Sequence, residues 1–230
     1  MPENIIKSRK RVADHGEVFT PSHIVNDMLD LVRQETQRID SRFLEPACGN
    51  GNFLAEILTR KLEVAKKTYK KAPTEYEKFS LLALSSIYGI DILEDNAGEC
   101  RERLYNIWDK AYKSVCKREL NDEARETARH LLHKNIVCGD ALTLKTSAGE
   151  PIVFTEWSLI GDKIKSRDFE FGEMINASSN DKQTGMFIEY DEQAGGFIPR
   201  PCGEDQPIYY RELGRKKESE AEYGTATESI

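Results

Sequence analysis

Apolar positions along the first three-fifths of the chain alternate between two periods, one helical and one extended. After Gly16-Glu17-Val18-Phe19-Thr20-Pro21, residues Ile24, Val25, Met28, Leu29 and Val32 fall on one face of a helix. Thr20 is suited to be its N-cap and Pro21 its first helical residue. Phe43-Leu44-Glu45, stopped by Pro46, predicts a short buried strand, and the turn Ala47-Cys48-Gly49-Asn50-Gly51-Asn52 follows. A helical pattern through Leu54, Ile57, Leu58, Leu62 and Ala65 is interrupted at Pro73. A second carries Tyr76, Phe79, Leu82 and Ala83. Ile87-Tyr88-Gly89-Ile90-Asp91 predicts the second strand. A long helix then carries Ala97, Cys100, Leu104, Ile107, Trp108, Ala111 and Val115, and a shorter one runs from about Ala124 to Leu132. Ile136-Val137-Cys138, ending in Gly139-Asp140, is the third strand, and Ile152-Val153-Phe154 is read as the fourth. Strands that alternate with helices predict an α/β fold with a doubly wound, mostly parallel Rossmann-like sheet.

The periodicity fades after Trp157. Residues 1–15 are read as a polar, solvated arm with a basic cluster, Lys7, Arg9, Lys10 and Arg11. Residues 16–158 form the main domain, 159–214 an irregular, β-rich extension, and 215–230 a polar tail expected to be disordered. Within the extension, Met186-Phe187-Ile188 and Gly196-Phe197-Ile198 suggest a hairpin. The net charge of −7 excludes a global positive field as the means of holding nucleic acid. No apolar run approaches the roughly 18 residues that span a bilayer. The five cysteines are odd in number and show no CxxC spacing, so the expectation is a reduced, metal-free, cytoplasmic protein.

Three of the strands end in residues that suit a ligand at the carboxyl edge of the sheet. The first runs into Glu45-Pro46-Ala47-Cys48-Gly49-Asn50-Gly51, where two glycines permit a tight turn and close backbone approach. The second ends in Asp91, placed to accept from both hydroxyls of a ribose, and the third in Asp140, placed to accept from an exocyclic amine. In that order they describe a nucleoside-containing ligand.

These segments together resemble the DNA adenine-N6 methyltransferases, the modification subunits of bacterial restriction-modification systems. Gly16-Glu17-Val18-Phe19-Thr20-Pro21 resembles the segment that packs over the methionine end of the cofactor in that family. Phe43 to Phe53 resembles the cofactor glycine loop, Tyr88-Gly89-Ile90-Asp91-Ile92 the ribose-binding strand end, and Cys138-Gly139-Asp140-Ala141-Leu142 the adenine-contacting segment. The resemblance spans roughly residues 10–145 and implies S-adenosylmethionine as cofactor. The implied contacts are Phe19, Thr20, Glu45, Pro46, Ala47, Gly49, Gly51, Phe53, Asp91, Ile92, Asp140 and Ala141.

The chain departs from the family at the catalytic motif, a polar residue followed by Pro-Pro and an aromatic at the end of the fourth strand. All eight prolines here are isolated. The fourth strand runs instead into Thr155-Glu156-Trp157-Ser158, which makes Glu156 the candidate acceptor for an amine and Trp157 the candidate stacking residue. No target-recognition domain is recognised. The implied partners are therefore DNA, held through a partner subunit, and a complementary methyltransferase or specificity chain. Two functions follow: a DNA adenine methyltransferase, truncated or one half of a split enzyme, or an inactive S-adenosylmethionine-binding subunit that regulates or scaffolds a partner. Lys163, Lys165 and Arg167 are candidate phosphate contacts, whereas Lys66, Lys67, Lys70 and Lys71 read as a solvated helix face.

Overall fold

The computed structural model describes residues 6–178, 188–191 and 196–215. Helix α1 (Arg9–His15) leads into α2 (Ser22–Leu31) and the short α3 (Arg33–Thr36). Strand β1 (Phe43–Glu45) is followed by α4 (Asn52–Tyr69), α5 (Pro73–Ser85) and β2 (Ile87–Asp91). Helices α6 (Glu94–Cys116) and α7 (Asp122–Asn135) connect to β3 (Ile136–Asp140) and the two-residue β4 (Lys145–Thr146). Strands β5 (Val153–Ile160) and β6 (Lys163–Glu170) precede α8 (Phe171–Ser178), β7 (Ile188–Asp191), β8 (Gly196–Pro199), β9 (Gly203–Glu204) and β10 (Ile208–Tyr209). A 3-10 helix, Tyr210–Arg215, closes the described chain.

The main sheet is open and mostly parallel, in the order β1-β2-β3-β4. β1, β2 and β3 run parallel, with Glu45 opposite Gly89 and Asp91 opposite Cys138. This is the expected α/β arrangement, with all five residues of β2 buried. The helical patterns hold except in α2, where Pro21 rather than Thr20 is the N-cap and the helix begins at Ser22. Val25 and Leu29 are buried, but Ile24, Met28 and Val32 are exposed, because α2 lies at the surface and packs mainly on α4. Leu54, Ile57, Leu58, Leu62 and Ala65 face the core from α4, and Ala97, Cys100, Leu104 and Trp108 from α6. α5 begins at Pro73, where a missing N–H costs nothing. Among the described residues no helix is long and apolar enough to cross a membrane.

The fourth strand is a correction. β5 does not join the parallel sheet; it pairs antiparallel with β6 over eight residue pairs, from Val153 opposite Glu170 to Ile160 opposite Lys163. A parallel neighbour needs a crossover of a dozen or more residues, usually helical. The chain between β3 and β5 forms no helix. It turns back at once, so β4 takes the edge position antiparallel to β3. β6 then pairs with β9 and β10, so β5, β6, β9 and β10 form a second sheet, and β5 runs across residue 158. Tyr88 Oη donates to the Thr155 carbonyl (2.8 Å), and the Tyr88 ring meets Phe154 edge-on, joining the two sheets. The expected hairpin is present as β7 and β8; Met186 and Phe187 lie outside the described residues, as does the tail from residue 216.

Two buried charges tie distant segments together. Glu77, 1% exposed, accepts from Tyr112 Oη (2.5 Å), Tyr210 Oη (2.7 Å) and Arg211 Nε (2.6 Å). Lys61 is fully buried in α4 and donates to the carbonyls of Ile39 and Ser41 and to Ser86 Oγ. It thereby holds the entry to β1. No carboxylate pairs with it among the described residues, and burial pulls its pKa down to about 7.

The ordinary lysine pKa is about 10.4, so between about pH 7 and that value the folded chain binds fewer protons than the unfolded one. Stability therefore rises with pH. Above about pH 8.5 buried thiols such as Cys116, raised by burial to about 12, oppose the trend. The melting temperature is expected to climb by roughly 2–4 °C from pH 7 to 8.5. Lys61→Met should flatten that climb in calorimetric scans.

Candidate functional site

The glycine loop forms because the chain must reverse between β1 and α4 while its backbone stays against β2. Gly49 and Gly51 both adopt left-handed backbone, at φ +53° and +83°. Gly51 N–H bonds the Cys48 carbonyl (2.8 Å), and Cys48 N–H bonds the Ile90 carbonyl (2.8 Å). A side chain on Gly51 would meet Cys100 Sγ on α6 at 2.7 Å, so glycine here also sets how closely loop and helix pack. Phe19 lies over Gly49, where an added Cβ would be 3.1 Å from the ring.

The loop, the ends of β2 and β3, and the segment before α2 enclose a cavity of about 500 Å3. It is lined by Phe19 and Thr20 from that segment, Glu45, Pro46, Ala47, Gly49 and Phe53 around the loop, Asp91 and Ile92 after β2, and Asp140 and Ala141 after β3. The structure thus brings together all the residues expected at a cofactor site except Gly51, which is buried beneath the loop. Sequence reasoning missed Val18, Asn52, Leu93, Asn96 and Leu142 as lining residues, and it gave Glu17 no role of its own. Asn96 was traceable only as an amide in the first turn of the helix after Asp91.

Four carboxylates line this cavity, Glu17, Glu45, Asp91 and Asp140, and no Lys, Arg or His does. Their surroundings differ. Asp91, 8% exposed, accepts from Gly49 N–H (2.8 Å), Leu93 N–H (2.9 Å) and Asn96 Nδ2 (3.2 Å). A carboxylate offers about four acceptor positions. The expectation that Asp91 accepts from two ribose hydroxyls is therefore narrowed to one open position. Asp140 accepts from Leu142 N–H (2.8 Å), which holds its carboxyl below the usual range. Glu45 is the opposite case. Burial pushes its pKa up, against a single backbone N–H from Ala47. Val18, Ile92 and Leu142 are exposed at the mouth, the last at 93%, and give it apolar lips. An acidic floor with apolar lips suits a flat ring that carries donors and positive charge, and repels phosphates.

Glu156 and Trp157 are not in this cavity, and both expected roles are corrected. Trp157 is buried, donates Nε1–H to Asn135 Oδ1 (2.8 Å) and meets His130 edge-on, so it has no free face for a base. Glu156 is clamped between Arg42 (2.5 Å) and Arg167. It faces a separate groove of about 450 Å3, lined by Phe43, Leu44, Tyr88, Phe154 and Phe169, beside the outer edge of β1. No described strand pairs with that edge. Two of the candidate phosphate contacts are also engaged, Lys165 with Glu204 and Arg167 with Glu156. The lysines of α4 and its end are exposed as expected. His130 and His133 belong to no group of three or more metal-ligand residues among the described residues.

Comparison with known proteins adds no relative: no family model, curated protein or solved structure matches the chain.

Gly51→Ala should destabilise the protein by about 2–4 kcal/mol, combining left-handed strain with overpacking against Cys100. Pairing it with Cys100→Ala should recover the packing part only. Denaturant titration of both single variants and the double one separates the two terms.

Proposed function

We propose that this chain is the S-adenosylmethionine-binding half of a DNA adenine-N6 methyltransferase of the restriction-modification type, acting with a partner that supplies the catalytic turn. The observation that carries this reading is the cavity at the carboxyl ends of β1, β2 and β3, with four carboxylates and no cationic side chain. That lining disfavours di- and triphosphate nucleotides, which helix-terminal glycine loops otherwise suit. It favours a nucleoside whose other end is positively charged.

The residues present fit such a ligand. Glu45, desolvated and short of donors, is the acceptor for an ammonium group. The open position on Asp91 takes a ribose hydroxyl, and Asp140 accepts from an exocyclic amine. Ile92 and Leu142 flank the base, and Phe19 covers the loop. When bound, S-adenosylmethionine supplies a methyl group activated by its sulfonium. The chain's own part is to bind, orient and shield that ligand.

A second reading is favoured by one specific observation. Trp157 is buried and Glu156 is held by two arginines, so neither of the two residues expected to meet an adenine amine is ready to do so. The chain then binds the ligand, does no chemistry of its own, and regulates or scaffolds the partner. Both readings assign DNA to the partner, in keeping with the net charge of −7.

Calorimetry should give S-adenosylmethionine an affinity in the micromolar range, about −8 kcal/mol. ATP should give no heat. Glu45→Gln should weaken binding by about 1.5–3 kcal/mol, roughly tenfold to a hundredfold, because a charged hydrogen bond is lost. Folded wild-type protein that binds neither S-adenosylmethionine nor S-adenosylhomocysteine would overturn the reading.

With S-adenosylmethionine and duplex DNA alone, mass spectrometry of the digested DNA should detect no N6-methyladenine above background. Methylation that disappears in Glu156→Ala would restore Thr155 to Ser158 as a catalytic motif.

A further inference from the structure

Helix α1 has no buried side chain among its described residues and packs little against the rest of the fold. It is held by charge. The Arg11 guanidinium meets Glu17 (2.5 Å), Asp95 (2.5 Å) and Asn96 Oδ1 (3.1 Å) at once, using the several donors of its planar fork. Lys7 adds Glu99 (2.7 Å) and Asn96 Oδ1 (2.8 Å). On its other side the Asn96 amide donates to Glu17 Oε1 (2.7 Å) and to Asp91 Oδ1 (3.2 Å). One buried amide thus has two cations behind it and two cavity carboxylates in front. Immediately after α1, Gly16 turns through φ +65° with nothing within 4 Å of where a side chain would begin. Residues 16–20 beyond it form one wall of the cavity.

We propose that Arg11 and Asn96 are positioning residues for the cavity carboxylates, and that α1 is an ionic latch holding the wall of residues 16–20 against a bound ligand. The ligand part rests on the reading that the cavity takes S-adenosylmethionine; the latch itself does not. Glu17 and Asp91 are both nearly buried and share a single amide donor. Two carboxylates so placed repel each other unless a cation compensates. Burial pushes the Glu17 carboxyl up, but the donors from Arg11 and Asn96 outweigh it and hold it below its usual value. Without Arg11 the wall loses both its tether and the charge that keeps Glu17 in place. The partners Asp95 and Glu99 are half exposed, so the latch is open to screening by salt, where the Debye length falls from about 14 Å at 50 mM to about 4 Å at 500 mM.

Hydrogen exchange and calorimetry on the full chain at 50 and 500 mM NaCl test this, with S-adenosylhomocysteine as probe. In wild type, the amides of residues 9–20 should exchange about fivefold faster at high salt, and affinity should fall about tenfold. Arg11→Gln should show fast exchange and weak binding at both salts, with core exchange and melting temperature unchanged. Arg11→Lys should restore part of both. Asn96→Ala should weaken binding while exchange of residues 9–20 stays slow, since the Arg11–Asp95 and Lys7–Glu99 pairs to α6 remain. Exchange of residues 9–20 that is insensitive to salt and to Arg11→Gln would overturn the latch. Should wild type bind no probe, the ligand reading fails, and the exchange measurements still decide the latch.

Discussion

The carboxylate of Asp91 is the point from which the candidate site is built. It stands at the end of β2, nearly buried, and three donors from two different segments converge on it. The Gly49 N–H fixes the turn after β1, and the Leu93 N–H and Asn96 amide fix the start of α6. A buried anion is tolerable only when such donors meet it. Meeting it forces the loop, the strand end and the helix into one arrangement. Through Asn96 the same constraint reaches Glu17 and the segment before α2. The cavity is therefore the space left when these groups satisfy one charge.

The parts of this arrangement legible in the sequence were those governed by apolar period and by glycine. β2 and the helices α4 and α6 announce themselves because their inward faces are Leu, Ile and Ala at regular spacing. β1, expected to be buried, is only half-buried with Leu44 exposed, because no described strand covers its outer edge. The residues at the strand ends were legible because a parallel sheet places all its carboxyl ends on one edge. The second sheet was hidden. The start of its β6 strand, Lys163-Ile164-Lys165-Ser166-Arg167-Asp168, reads as a basic stretch because of Lys163, Lys165 and Arg167, and its inward polar positions are satisfied by hydrogen bonds. Ser166 bonds Asp205 (2.8 Å), and Asp168 receives Thr155 Oγ1 (2.6 Å). Trp157, on β5, looked free because its partner, Asn135, is contributed by α7. Lys7 and Arg11 looked solvated because their partners lie more than eighty residues away, at Asp95 and Asn96.

The two faces of β1 stand in contrast. One edge is paired with β2 and carries the loop; the other carries no described pairing and borders an apolar groove with Leu44 partly exposed. The three-residue strand thus has the acidic cavity at its carboxyl end and an unpaired edge along its length.

The Glu77 cluster bears on how the chain is made. Glu77 belongs to the fifth helix, yet its donors Tyr210 and Arg211 arrive 133 and 134 residues later. Synthesis at about 5–20 residues per second leaves roughly 7–27 s in which β1 to β3 and their helices exist without those groups. In that interval Tyr112 is the one described donor to Glu77, and closing the core over the carboxylate without its Arg211 partner would cost about 3–5 kcal/mol. The last described segment, the 3-10 helix Tyr210–Arg215, therefore completes the set of donors around a carboxylate buried between much earlier helices.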